Sequence, residues 1–415
     1  MKTPIHKTTF INSVQVAQLL LLYLSFNFSF LLNAQSWQQL DDFPATERDD
    51  GVSFVIGDKA YCGTGYKTGW VETKDFHVLD MNTDQWSTVS SLPIGEERQY
   101  ASAFASSTKG FVFGGIKDGD HLNDLWKYNS SQDSWTEMTP LPAEGRRGSV
   151  SFVINGVAYI VGGNTEIENA IDEVWAYNIN DDTWEQKNDF PFGGLYRASG
   201  TSSENYGYLI FGQNESNNLN NKLYAYDPIS DSWTLKSTFP ETGRMHSSLN
   251  LISNQLFVIA GIDDMDVYHK DLWRFDLSDS TWHELVEIPG NVRKGGMAFN
   301  NGDNLYYTTG INDQDVRLKE SWKCVQPLSL DKKELSLNLS IYPNPANETL
   351  ILACNNFNLV SNNEITITNS IGKLVTKVKM NSALTLLDIS HYSKGVFFVS
   401  IQNENIHQTI KFIKK

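Results

Sequence analysis

The chain has 415 residues, 40% of them apolar and 12% aromatic, enough for two or three folding units and too apolar for a wholly disordered chain. Thirty-three Lys and Arg against 49 Asp and Glu give a formal charge of −16, a field that repels phosphate backbones and anionic lipid and argues against nucleic acid as a partner. Three Cys cannot build a disulfide framework, whereas eleven Trp and 29 Gly suit an all-β chain with many turns.

The first 34 residues read as a secretory signal. Lys2 and Lys7 give a positive start, an apolar stretch is densest over Leu19–Leu24 and runs on to Leu32, and Asn33-Ala34 supplies the small residue of a cleavage site. No Cys stands at that site, so a lipid anchor is not expected. No later run reaches the roughly 18 apolar residues of a membrane span, so the mature chain is expected to lack a transmembrane segment.

From residue 35 the chain repeats itself. Trp37, Trp86, Trp135, Trp184, Trp233 and Trp282 are 49 residues apart, and a second ladder of Trp126, Trp175, Tyr224, Trp273 and Trp322 has the same step. Trp70 is the one Trp on neither ladder. Each unit begins at an Arg (Arg48, Arg98, Arg147, Arg197, Arg244, Arg293). A strand of small residues follows, then a strand ending in a glycine doublet or its variant, such as Gly114-Gly115 or Phe211-Gly212. A variable loop leads to a third strand such as Leu125-Trp126-Lys127-Tyr128, and a tight turn leads to the fourth, which carries the first-ladder Trp. A fixed period of this size with four short strands predicts a β-propeller. Small residues allow close approach at the axis, and Trp plates fill the gaps between sheets.

This pattern resembles the Kelch repeat, which implies a Kelch-type β-propeller over residues 35–326. Six Arg, six doublet positions and six third strands predict six blades. The sixth unit lacks a fourth-strand Trp and the unmatched Trp37 lies at the start, so the strand near residues 36–40 is expected to close the last blade and hide both edges. Cys62, Cys324 and Cys354 are read as buried thiols.

Beyond the propeller a polar linker is expected over 327–338, then a small β-sandwich over 339–415. There "SIYPNPANETLIL", "NSIGKLV", "LDISHYSKGVFFVSI" and the final "KFIKK" occur in that order. The segment resembles the type A C-terminal sorting domain of the type IX secretion system of Bacteroidetes, with Tyr342, Pro343, Asn344, Pro345, Gly372 and Gly395 as the motif residues. The resemblance implies the type IX machinery as a partner and delivery outside the cell or onto its surface.

The topology of a blade puts the strand 2–3 and strand 4–1 connections on one face, and long variable loops carry function more often than tight turns. That face is expected to bear the six Arg as a ring at the axial mouth, with Tyr100, Tyr196 and His246 beside them, as candidate contacts for a carboxylate, sulfate or phosphate. Glu precedes Arg98, Arg147 and Arg244 by one to three residues, which leaves Arg197 and Arg293 as the expected free anion contacts. Asp118 and Asp120, or Asp263, Asp264 and Asp266, lack the spacing of an EF-hand loop, and no metal site, cofactor or catalytic constellation is expected. The reading is a secreted or cell-surface binding module for glycan or protein, expected to be a monomer. The alternative is a sugar-active enzyme: Kelch propellers that resemble this one include bacterial sialic-acid mutarotases, which implies an Arg-lined axial pocket for a carboxylated sugar.

Overall fold

The computed structural model describes residues 36–325, 339–354, 364–379, 384–402 and 407–415. The expected leader and the linker over 327–338 lie outside the described residues. Two compact units divide between Leu330 and Asp331. The described residues are all strand, turn and loop, so none of them forms a helix long and apolar enough to cross a membrane.

The first unit holds six four-stranded antiparallel sheets, five of them consecutive meanders such as Val52–Ile56, Lys59–Gly63, Phe76–Asp80 and Gln85–Val89. In the sixth sheet, Met297–Asn300, Leu305–Thr308 and Ser321–Val325 are joined by Ser36–Leu40, which pairs antiparallel with Ser321–Val325 in the register Trp37↔Cys324. The innermost strands contact one another in a closed ring, with Met297–Asn300 meeting Val52–Ile56. The fold is the all-β propeller that the 49-residue period predicts.

Each gap between blades holds one apolar cluster. Phe54, Tyr61 and Phe76 of the first blade meet Val112 and Tyr128 of the second, and the last gap joins Met297, Phe299 and Tyr306 to Ala60, Cys62 and Leu79. Fourth-strand Trp residues tie neighbouring blades. Trp135 and Trp184 donate Nε1–H to the carbonyls of Ser90 and Thr139 at 2.8 Å, and Trp37 donates to Val286 at 2.9 Å. Each such bond is worth about 1 kcal/mol, beyond the area the indole covers. The turn between strands three and four adds a second tie. Tyr128 donates to Asp133, and Asp133 also accepts from the backbone of Ser90 in the preceding blade. Cys62 and Cys324 are buried; the side chain of Cys354 lies outside the described residues.

The second unit has a three-stranded sheet (Leu339–Tyr342, Thr349–Cys354, Leu384–Asp388) and a four-stranded one (Leu374–Lys379, Glu364–Asn369, Gly395–Gln402, His407–Lys414). Leu350, Leu352, Ile365, Ile367, Phe397, Val399 and Phe412 form its core. Tyr342 ends the first strand, and Asn344 fastens that corner to the last strand, accepting from Ile413 N–H and donating to Lys411 O, both at 3.0 Å. Pro343 and Pro345 flank Asn344, Gly372 sits in the tight turn after Asn369, and Gly395 opens a strand.

Candidate anion site at the axial mouth

The repeat's Arg residues separate into two populations. Arg48, Arg98, Arg244 and Arg293 are buried, at most 1% exposed, and each faces an acid on the third strand of its own blade or one residue before it. Arg98 binds Asp124 through Nη1 and Nη2 at 2.7 and 2.8 Å, Arg244 binds Asp271 at 2.6 Å twice, Arg48 binds Asp75 at 2.9 and 2.8 Å, and Arg293 lies 3.2 Å from Glu320. Their main chains are used as well: the carbonyls of Arg48, Arg98, Arg244 and Arg293 accept from the second glycine position of the preceding blade. These Arg are internal braces, so the expected ring of six guanidinium groups does not form. Arg293 in particular is not a free anion contact, because its carboxylate comes from Glu320, distant in sequence.

The acids stand on their own 49-residue ladder: Asp75, Asp124, Glu173, Asp271 and Glu320, with Lys222 in the fourth place. In the third blade Glu173 takes Arg146 at 2.8 Å, which frees Arg147. In the fourth, Leu195 stands where the brace would be, which frees Arg197. Neither Arg147 nor Arg197 has a carboxylate within 4.0 Å among the described residues.

Two residues beyond each brace position the chain turns into the axis. Asp50, Tyr100, Gly148, Arg197, His246 and Gly295 occupy this place, one per blade, and all six have positive φ between 52° and 64°. Their main chains ring the mouth: Asp50 N–H donates to Gly295 O, Tyr100 to Asp50, Gly148 to Tyr100, Arg197 to Gly148 and Gly295 to His246, at 2.8–3.1 Å. Two blades use glycine for this left-handed backbone, and a Cβ at Gly295 would stand 2.6 Å from Asp50 Oδ1. The other four accept a strain of about 1–3 kcal/mol each and place an acid, a phenol, a guanidinium and an imidazole at one opening.

The mouth leads into a cavity of about 230 Å³ lined by those six residues and by inner-strand serines. Several of these serines already donate to a neighbouring blade, as Ser151 does to Ala103 O at 2.8 Å and Ser199 to Ser247 O at 2.7 Å, and present only acceptor capacity. Arg197 lies over the rings of Tyr100 and Tyr196 at 4.3 and 4.6 Å, and Arg147 over the same rings at 5.7 and 5.6 Å. Arg147 is aimed by its Nε–H bond to Asn164 Oδ1 at 2.8 Å. Across the mouth, His246 Nδ1 is 2.7 Å from Asp50 Oδ1. Burial pushes the Asp50 carboxyl up, against the pull of Arg197; burial, with Arg197 and Lys294, holds His246 well below the usual imidazole range. Asp49 is pushed up to about 7 by burial and by Asp50, despite its 2.6 Å bond from Arg317 Nε. Burial and Asp50 raise the Tyr100 phenol. Arg197 Nε, Tyr196 Oη and His246 Nε2 are buried without a hydrogen-bond partner among the described residues.

Of the sequence candidates, the structure thus brings together Arg147, Arg197, Tyr100, Tyr196 and His246. Sequence reasoning missed Asp50, Asp49 and Lys294; the available signal was the residue two places after each brace, glycine in two units and chemically varied in the rest. Glu241, His269 and Asp271 cluster near one another, but both carboxylates already hold Arg244. Asp263 braces its own loop by accepting from Met265 N–H, Val267 N–H and His269.

The solved structure of YjhT is similar to this chain, with a TM-score of 0.59 at 18% identity over 68% of this chain and 95% of that one, which shows a shared fold. No curated protein matches the chain significantly. Residues 340–415 match the secretion system C-terminal sorting domain, which marks the protein for type IX secretion to the cell surface or the extracellular space. Residues 60–318 match the Attractin/LZTR1 β-propeller, and the chain belongs to that Kelch-type propeller family.

Proposed function

We propose that this exported propeller is a binding module whose axial mouth takes the acidic group of a glycan or protein ligand, without a cofactor and as a monomer. The leader expected over residues 1–34 supplies the first export step, and the sorting domain the second. The observation that carries the reading is the pair Arg147 and Arg197, free of carboxylates and stacked on Tyr100 and Tyr196 in a protein of charge −16. A desolvated guanidinium with open donors binds a carboxylate strongly. Calorimetry with a uronic acid tests it. Replacing Arg197 or Arg147 should each weaken binding by about 1.5–3 kcal/mol, the scale of a hydrogen bond to a charged group. Unchanged binding in both variants refutes the site.

A second reading, a sugar-active enzyme of the sialic-acid mutarotase kind, is favoured by the Asp50–His246 contact of 2.7 Å with His246 Nε2 left unpartnered. An imidazole oriented by a carboxylate is suited to proton transfer. Nuclear magnetic resonance exchange between the anomers of a carboxylated sugar separates the readings: acceleration that is lost in His246→Gln supports the enzyme, and binding without acceleration supports the module.

A further inference from the structure

In every blade the strand 2–3 connection pairs with the residue before the mouth position, as Ile116 does with Gln99 and Gln213 with Tyr196, and in the first blade this pairing extends to two residues per strand. Tyr66–Lys67 and Val71–Glu72 form a hairpin, and Tyr66–Lys67 pairs antiparallel with Arg48–Asp49 in the register Asp49↔Tyr66. The hairpin is therefore hydrogen-bonded to the segment immediately before Asp50, a wall of the axial mouth. Its tip carries Trp70, the Trp outside both packing ladders.

Trp70 is 65% exposed and has φ of +61°, a conformation that bulky residues rarely adopt. The ring is nevertheless fixed. The Arg317 guanidinium lies 4.6 Å from its centroid, Tyr66 meets it edge-on at 5.6 Å, and Arg317 is anchored by Asp49 at 2.6 Å. An indole propped from below by a buried Arg and left open elsewhere is a flat apolar plate, and its support runs through Asp49 to the mouth. The axial cavity, about 230 Å³, is smaller than a pocket that encloses a drug-sized ligand. It has room for one sugar ring, so any remaining part of a longer ligand must lie on the loop face.

We infer that Trp70 is a second subsite, where a neutral sugar next to the acidic one stacks the apolar face of its ring on the indole. This rests on the axial reading above and names its ligand class: an acidic oligosaccharide rather than an isolated acid. The hydroxyl-lined cavity and the flat plate, linked to its wall through Arg317 and Asp49, suit a ring with polar edges and apolar faces.

The test compares glucuronic acid with a tetrasaccharide ending in glucuronic acid, on the full-length chain, by calorimetry. The tetrasaccharide is expected to bind roughly ten-fold tighter, the scale of covering one exposed aromatic face. Trp70→Ala should erase that gain and leave glucuronic acid binding unchanged, Trp70→Phe should keep part of the gain, and Arg197→Gly should weaken both ligands. If glucuronic acid binds and Trp70→Ala leaves the tetrasaccharide unaffected, or weakens both ligands alike, the plate is overturned and the axial reading stands. If neither ligand binds, the acidic-sugar reading falls and the plate with it. A synthetic peptide rich in Glu that outcompetes the tetrasaccharide and depends on Trp70 would assign the plate to a protein and overturn the inference.

Discussion

The division of the Arg into braces and mouth residues is tested by comparing Arg244→Ala with Arg197→Gly. Arg244 is fully buried and donates to Asp271 Oδ1 and Oδ2 at 2.6 Å, to Glu241 Oε2 at 2.7 Å and to Ala260 O at 3.3 Å. Truncation leaves Asp271, only 15% exposed, with Trp273 Nε1–H at 2.8 Å as its remaining donor. Breaking a buried pair in this way costs about 3–5 kcal/mol. At about 2–4 °C per kcal/mol for a domain of this order, the melting temperature should drop by roughly 6–20 °C. Arg197 has no carboxylate partner and sits at a left-handed position where two other blades use glycine. Arg197→Gly should leave stability unchanged or raise it by up to about 1 kcal/mol through relief of backbone strain. Tryptophan fluorescence melts of both variants, with uronate titration at 25 °C, read both effects. A loss of stability in Arg197→Gly as large as that in Arg244→Ala would show that the mouth Arg is structural and would refute the division.

Three further outcomes follow from the same geometry. Deleting Ser36–Leu40 exposes the edge of Ser321–Val325 and removes the half-buried Trp37 with its bond to Val286, so the melting temperature should fall by more than about 5 °C; a smaller change argues against ring closure by that strand. Asp49, held at about 7 in the fold against an ordinary value near 4, favours the folded state most below its ordinary value, and this contribution fades as pH rises through about 7. Urea denaturation should therefore show stability declining from pH 5 to 8, with a flatter profile in Asp49→Asn; identical slopes would exclude Asp49 as the source. Ending the chain after Lys332 should leave the propeller's melt intact but abolish delivery to the cell surface, which fractionation of the producing cells would show.

The architecture was legible because packing repeats. Trp at a step of 49, paired with small residues on the next strand, carries the blade period, and those residues do in the structure what their size suggests. The site was less legible because its two kinds of Arg look alike in sequence. Arg146 and Arg147 are adjacent, and only the position of Glu173 decides which of them is the brace. Acids near an Arg in sequence were a partial guide: Glu241 does pair with Arg244, but beside Arg98 it is Glu96 that pairs while the expected Glu97 lies near Lys74, and the dominant partners Asp124 and Asp271 lie 26 and 27 residues away. Asp50 was missed for the same reason, since its partner His246 is 196 residues distant and meets it only when the ring closes.

The backbone ring explains why chemistry collects at this one repeat position. Around the mouth, closure is carried by main-chain bonds, from Asp50 to Gly295 and on through Gly148 to Arg197, and these bonds need no particular side chain. The brace two residues earlier is different, because its guanidinium satisfies a carboxylate that would otherwise be partly buried and unpaired. Substitution at a brace therefore acts on stability, whereas substitution at the mouth acts on what the axis presents. Strain restricts the mouth through φ, which glycine meets without cost and other residues at about 1–3 kcal/mol, and at Gly148 and Gly295 a Cβ would also crowd Tyr196 and Asp50. Asp50, Tyr100, Arg197 and His246 accept that strain in four blades of one ring and fill no gap between blades there. Their shared property is that they offer charge or hydrogen bonds to a cavity, and a ligand that uses those groups is the benefit against which the strain is set.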